Sequence, residues 1–417
     1  MEKQQGITPF RQSGRRGDPD PYPNYAWMRE HCPVSLVSGG DGEPATWLVT
    51  SYELSRTALG DARLSADVRN SAYGAEEESS AFERNLQGMD PPEHARLRRM
   101  VSAAFSPRAV ERYRPRIERI CRETIAAFAG RGEADLVPDY SLIVPVAVIH
   151  DVLGVPEELQ QPPEVCMEQF WRASIAQPTD REAVAFLDDY LREVVAHKRR
   201  HPGDDVVSDL LVKLDRGELA GEDELRGMLY LIIGAGHATS VPFLGAAVLR
   251  LLQHPEQLAD LLADPALWQS AAEEVLRYDS PSQAGANRYA TEPMTIGGTE
   301  IGRGDTVLMS LAAANRDPEQ FADPDRFDVR RPARSHLALG HGTHFCLGAH
   351  LARAEGEIAL RTLFETLPDL RLRTPADQVP WAMGPMLRGP GELPVTFTPL
   401  PGAAVRRPTE IRPEGQK

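Results

Sequence analysis

The sequence predicts a mainly α-helical fold with a few small β-sheets. Three features carry that expectation. Apolar residues recur every three to four positions over 92–105, 109–128, 182–200, 223–252, 255–263, 265–278 and 347–367. Alternating stretches are fewer and short: 34–37, 45–52, 292–301, 306–310 and 393–397. Strand and helix do not alternate along the chain, as a doubly wound parallel sheet would require.

Local residues support these elements in order. The helix at 92–105 follows Pro91 and Pro92, which suit a first turn, and Asp90, whose side chain can cap it. The stretch 223–252 contains MLYLIIGAGHATSVPFLGAAV at 228–248, long and apolar enough for a membrane span. That run is single and carries Thr239, Ser240 and Pro242 at its middle, so a buried central helix is the preferred reading and no membrane span is expected. Gly297 and Gly298 supply a turn within 292–301. In 347–367, Leu347, Leu351, Ile358 and Leu363 mark an apolar face.

The chain has 417 residues, 41% apolar and 26% charged, as in ordinary globular proteins. Its net charge of −15 disfavours non-specific nucleic-acid binding. Cys32, Cys121, Cys166 and Cys346 are scattered, which fits a reducing compartment rather than a disulfide framework. The polar N-terminus lacks the apolar run of a signal peptide, so a cytoplasmic location is expected.

The strongest local signal is LGHGTHFCLGAHLARAE at 339–355. Gly340, Gly342 and Gly348 let the backbone turn tightly and approach a flat ligand. Cys346 stands immediately before a helix, where free N–H groups and the positive dipole end lower a thiol's pKa. A thiolate among N–H donors suits an axial haem ligand. Zinc is the alternative, since His341, His344, Cys346 and His350 fall close together, but the helix from Leu347 turns His350 away from the loop.

Three other patterns accompany it. Glu274 and Arg277 are three apart on one helix face, a spacing that by itself suggests an exposed ion pair. His94 and Arg98 are four apart, either a surface feature or a pair of basic donors for carboxylates. In the central helix, the Thr239 hydroxyl can bond the carbonyl of Ala235 and distort the helix. Gly234 and Gly236 also suggest a dinucleotide loop, but Thr239 stands where its third glycine belongs.

Together these segments resemble the cytochrome P-450 family. Gly340, Gly342, His344, Cys346, Gly348, Leu351, Ala352, Arg353 and Glu355 fit its haem-binding signature, with Leu339 where the family usually has Phe. The resemblance runs from about Pro19 to Thr398. It implies one P-450 domain over 19–400, with a long central helix and a cysteine-ligand loop, between flexible segments 1–18 and 401–417. It implies haem b held by Cys346 and Gly348, with His94, Arg98, Arg288 and His344 on the propionates. It makes Glu274, Arg277 and Arg326 structural, Asp325 replacing the usual Glu beside Arg326. Thr239 and Ala235 match the oxygen-activating stretch, and Ala238 occupies the position of its usual acid.

The implied activity is insertion of one oxygen atom from O2 into a small organic substrate, a secondary-metabolite intermediate. Electrons are to come from NAD(P)H through a ferredoxin or flavodoxin-type donor and its reductase, because the chain has neither a flavin module nor a cysteine cluster. Arg98, Arg99 and Arg353 are expected on the docking face. Arg84, Phe170, Leu231, Gln283, Asn287 and Met386 are expected in the substrate pocket, and no metal besides haem iron is expected. Ala238 keeps open an atypical chemistry: peroxide-driven oxidation, aryl coupling, dehydration or nitration. A non-enzymatic haem sensor or carrier is the remaining alternative. Pro242 would leave the Ala238 carbonyl unpaired, and a water on that carbonyl would partly replace the missing acid.

Overall fold

The computed structural model describes residues 20–40, 43–72, 74, 85–174, 180–383 and 386–401. The segments 1–18 and 402–417 and the candidate Arg84 lie outside the described residues.

The helices are α1 (Tyr22–His31), α2 (Tyr52–Gly60), α3 (Glu93–Ser102), α4 (Pro107–Phe128), α5 (Ile143–Leu153), α6 (Pro163–Ser174) and α7 (Arg181–Arg200). They continue as α8 (Val206–Asp215), α9 (Glu222–Ala238), α10 (Ser240–Gln253), α11 (Pro255–Ala263), α12 (Leu267–Tyr278), α13 (Leu311–Ala314) and α14 (Ala349–Thr366). The strands are β1 (Val34–Gly40), β2 (Glu43–Val49), β3 (Leu64–Ser65), β4 (Glu133–Asp135), β5 (Arg288–Ala290) and β6 (Met294–Ile296). They continue as β7 (Thr299–Ile301), β8 (Thr306–Met309), β9 (Arg371–Leu372), β10 (Trp381–Met383), β11 (Arg388–Pro390) and β12 (Pro394–Thr396).

The largest sheet has the order β1-β2-β8-β5-β3, with β2 and β8 parallel and the other neighbours antiparallel. The remaining sheets are the β6–β7 hairpin, the β10–β11 pair and β4-β12-β9. A large apolar cluster joins α3 through α12 and α14, including the fully buried Trp268, Ile117 and Leu363. A smaller one lies against the five-stranded sheet.

The expected helix at 223–252 is two helices that meet at Thr239. Pro242 lies in the first turn of α10, where a missing N–H is tolerated, and has none to offer the Ala238 carbonyl. The Thr239 hydroxyl donates to Ala235 O at 3.3 Å. Glu222–Gln253 is long and apolar enough to cross a membrane, but 67% of its most apolar part is buried within the protein. Gly234 and Gly236 serve close packing rather than a nucleotide. A Cβ on Gly234 would fall 1.6 Å from the Phe170 ring, and one on Gly236 would fall 2.8 Å from Ile149.

The Glu274–Arg277 pair is a buried lock. Both side chains are fully buried, with Arg277 Nε to Glu274 Oε2 at 2.7 Å and Nη2 to Oε1 at 2.8 Å. Arg277 Nη1 also donates to Asn315 O and Pro324 O. The expected third partner is corrected. Arg326 is exposed and offers only its carbonyl, whereas Arg331 Nε reaches Glu274 Oε1 at 3.2 Å. The chain turns at Asp323 (φ 46°), and the Arg326 N–H closes that turn on Asp323 O.

Candidate active site

A cavity of about 320 Å³ lies between the junction of α9 with α10 and the loop that carries Cys346. Leu231, Ala235, Gly236, Thr239 and Ser240 line it from the helices. His344, Cys346 and Gly348 line it from the loop, with His94 and Arg98 of α3 and Arg288 of β5. The residues expected to hold haem are thus brought together from three separate parts of the chain.

The loop shape follows from its glycines. Gly342 has φ 70°, and a Cβ there would lie 2.8 Å from Leu59 O, so only glycine fits. The Cys346 N–H donates to Leu339 O at 2.8 Å, and α14 begins three residues after the cysteine. Cys346 is half-buried and its thiol pKa is raised, opposite to the expectation. Desolvation is the largest influence and outweighs the Gly348 N–H and the positive charges of Arg98 and Arg353.

His94 is buried, its ring 4.3 Å from that of His344, and its Nδ1 has no hydrogen-bond partner. Burial, then the charge of Arg98, lowers the His94 pKa. Burial, then Arg288 and His94, lowers that of His344 to about 3. Arg288 is 5% exposed and donates to Asn287 O at 2.9 Å, while Arg98 Nη2 donates to Phe345 O at 2.6 Å. A buried and a half-buried guanidinium meeting only backbone carbonyls, beside an orphaned imidazole nitrogen, fit a ligand that brings carboxylates. Asp90 does not cap α3 with its side chain. Its carboxylate takes the Ser65 hydroxyl and the Ala66 N–H, tying β3 to the entry of α3.

Ala235 and Thr239 face the cavity, but Ala238 is 5% exposed and does not line it, a correction to its expected place in the site. The carboxylate lining the cavity, alone of its kind among the described residues, is Glu355. It is 3% exposed, its Oε1 has no partner, and burial pushes it up to about 8 against a hydrogen bond from Ser240. Glu355 was legible as a signature residue, but not its position at the cavity.

Of the expected pocket residues, Leu231 lines the cavity. Phe170 instead fills the Gly234 notch and lies edge-on to His237 at 5.6 Å. Gln283 is fully buried and braces the wall, its N–H to Met386 O at 2.7 Å and its amide to Ser280 O. Asn287 is exposed, and neither it nor Met386 lines the cavity. Leu86, Gln87, Ile149 and Ser282, not foreseen singly, do. Among the described residues no group of three or more His, Cys, Asp or Glu side chains is placed to hold a metal ion, and His350 is exposed on α14.

The family model for cytochrome P-450 matches residues 259–383. The chain is 40% identical over 385 residues to the cytochrome P-450 monooxygenase PikC of Streptomyces venezuelae, covering 91% of each. The chain is a cytochrome P-450. It is also 40% identical over 395 residues to the 6-deoxyerythronolide B hydroxylase of Saccharopolyspora erythraea, covering 90% of this P-450 and 96% of that enzyme. The tirandamycin C-bound monooxygenase TamI superposes with a TM-score of 0.82 at 37% identity, over 91% of this P-450 and 98% of TamI. The C–S bond-forming enzyme CxnD of chuangxinmycin biosynthesis gives 0.84 at 36% identity, over 91% and 96%. This P-450 is a haem-dependent monooxygenase that uses O2 and electrons derived from NAD(P)H.

Proposed function

We propose that this P-450 hydroxylates or epoxidises a neutral, largely apolar natural-product intermediate, with Cys346 Sγ on the haem iron. One observation carries the ligand assignment: the sulfur opens onto the same cavity as His94, Arg98, Arg288 and His344, which would take the propionates. The Gly348 N–H would hold the thiolate's charge. Bound haem supplies reductive activation of O2 and insertion of one oxygen atom into the substrate. The Thr239 hydroxyl, parked on Ala235 O, would hold a proton at Oγ1, and the neutral Glu355 carboxyl, hydrogen-bonded to Ser240, lines the same cavity.

The substrate class is supported by Leu86, Ile149, Leu231 and Ile232, interrupted by the polar Gln87 and Ser282. Relatives named as a 6-deoxyerythronolide B hydroxylase, a mycinamicin IV hydroxylase/epoxidase and a polyketide-biosynthesis P-450 agree with it. A ferredoxin or flavodoxin-type partner would dock near the cysteine loop, in the cytoplasm. Arg98 and Arg353 are engaged within the protein, by Phe345 O and Glu273, so exposed Arg99 is the better docking cation. A second reading, oxidative bond formation without oxygen insertion, is favoured by Ala238 and by the likeness to CxnD.

Three measurements test this. The reduced, carbon-monoxide-treated protein should show a thiolate-type band that Cys346→His converts to an imidazole type; an imidazole-type band in the unaltered protein refutes the ligation. A panel of macrolactones should shift the haem spin state, and isotopic O2 should label the product. An unlabelled coupled product would favour the second reading.

A further inference from the structure

Behind the cysteine loop, three polar groups from three elements converge. Glu273 of α12 is 2% exposed. Its Oε2 lies 3.0 Å from His336 Nε2, and its Oε1 takes the Nε–H of Arg353 on α14, whose Nη2 reaches Oε2 at 3.3 Å. His336 is 5% exposed, and its Nδ1 accepts the Ala338 N–H at 3.2 Å. An Nδ1 that accepts leaves the ring neutral, with its proton on Nε2 and donated to Glu273. Ala338 precedes Leu339, whose carbonyl takes the Cys346 N–H at 2.8 Å. Asn315 Oδ1 adds a second tether at the Leu337 N–H, 2.6 Å away. Bonds therefore run from Glu273 almost to the backbone of the cysteine.

The charges point the same way. Arg353 lies near enough to Cys346 for its positive charge to favour the thiolate. Burial opposes ionisation of Glu273, but the hydrogen bonds of His336 and Arg353 and the charge of Arg353 outweigh it and hold the carboxyl below its ordinary range. One fixed negative charge thus offsets one fixed positive charge beside the sulfur, in an interior where screening by water is weak.

We propose that Glu273 is a positioning residue that sets the reduction potential of the haem iron, by neutralising Arg353 and anchoring the cysteine loop through His336. This rests on Cys346 being the iron ligand. Reduction gives the iron one electron, so an unopposed positive charge nearby favours the ferrous form and an unopposed negative charge the ferric form.

The test is potentiometry of the haem-loaded protein with Glu273→Gln, Arg353→Gln, the double variant and Glu273→Asp. Glu273→Gln should raise the potential, changing the ferrous-to-ferric ratio at fixed applied potential by about threefold or more. Arg353→Gln should lower it by a similar factor. The double variant and Glu273→Asp should lie near the unaltered protein. Lost stability alone would not produce opposite signs that cancel. If Glu273→Gln does not fold, Arg353→Gln and Glu273→Asp still decide the matter. Shifts of one sign, or none, in variants that keep the thiolate-type carbon-monoxide band overturn the proposal. An imidazole-type band in the unaltered protein would instead overturn the ligation reading.

Discussion

Replacing Glu355 by Gln should stabilise this P-450, and the gain should grow with pH. Glu355 is 3% exposed, with one carboxyl oxygen unpartnered, and burial raises its pKa from 4.5 to about 8. The folded state therefore holds the proton more tightly than the unfolded chain. Its favourable contribution is complete below about pH 4.5 and is lost as pH rises toward about 8. At about 1.4 kcal/mol per pH unit, the whole interval corresponds to a penalty on the order of 5 kcal/mol at alkaline pH. Gln is isosteric, keeps a polar partner for Ser240 and has no charge to desolvate. Denaturation midpoints of the haem-loaded protein and Glu355→Gln, compared from acid to mildly alkaline pH, should start close together and diverge steadily. A difference that stays flat with pH would show that Glu355 is ionised in the folded state, and the buried-acid reasoning would fail.

Other outcomes follow from the same structure. Arg331→Ala should destabilise the fold by about 1–3 kcal/mol in chemical denaturation, because Glu274 loses a buried charge partner, whereas Arg326→Ala should stay within about 0.5 kcal/mol. Pro242→Ala, which restores an N–H opposite the Ala238 carbonyl, should slow turnover and raise uncoupled peroxide; unchanged coupling would remove any role for a water on that carbonyl. Arg99→Glu should slow reduction by an acidic ferredoxin, most at low salt, and an unaltered rate would move the docking face elsewhere.

Much of the fold was legible because long amphipathic helices announce themselves by period. The helix at Pro255–Ala263 and strands β6, β7, β8 and β12 fall where pattern puts them, whereas β9, β10 and β11 are too short to show an alternation. Helix α5 was missed because eight of its eleven residues are buried, leaving no polar face to set a period. Helices α1 and α2 are short, with weak local signals and N-cap residues that make no side-chain hydrogen bond. The cysteine loop was legible because glycine spacing and a reactive side chain coincide. Arg326 was mistaken for Arg331 because sequence spacing does not reveal which way a side chain leaves a turn. Phe170 and Gln283 were assigned to the pocket, but the first packs into the α6–α9 interface and the second hydrogen-bonds behind the wall. The direction of the Cys346 pKa was misjudged because dipole and N–H effects are visible in a motif, whereas desolvation is a property of the assembled interior.

The break at Thr239 makes the central rod two separately moored pieces. Phe170 and Ile149 fit the notches at Gly234 and Gly236 on one piece, while Pro242 against Gly389 and Arg250 on Asp279 secure the other. Loss of a mooring on one side need not be transmitted through a continuous backbone ladder to the other. Combined substitutions across the junction should therefore behave as independent events, leaving room to reshape the upstream substrate wall while the downstream piece keeps its seat.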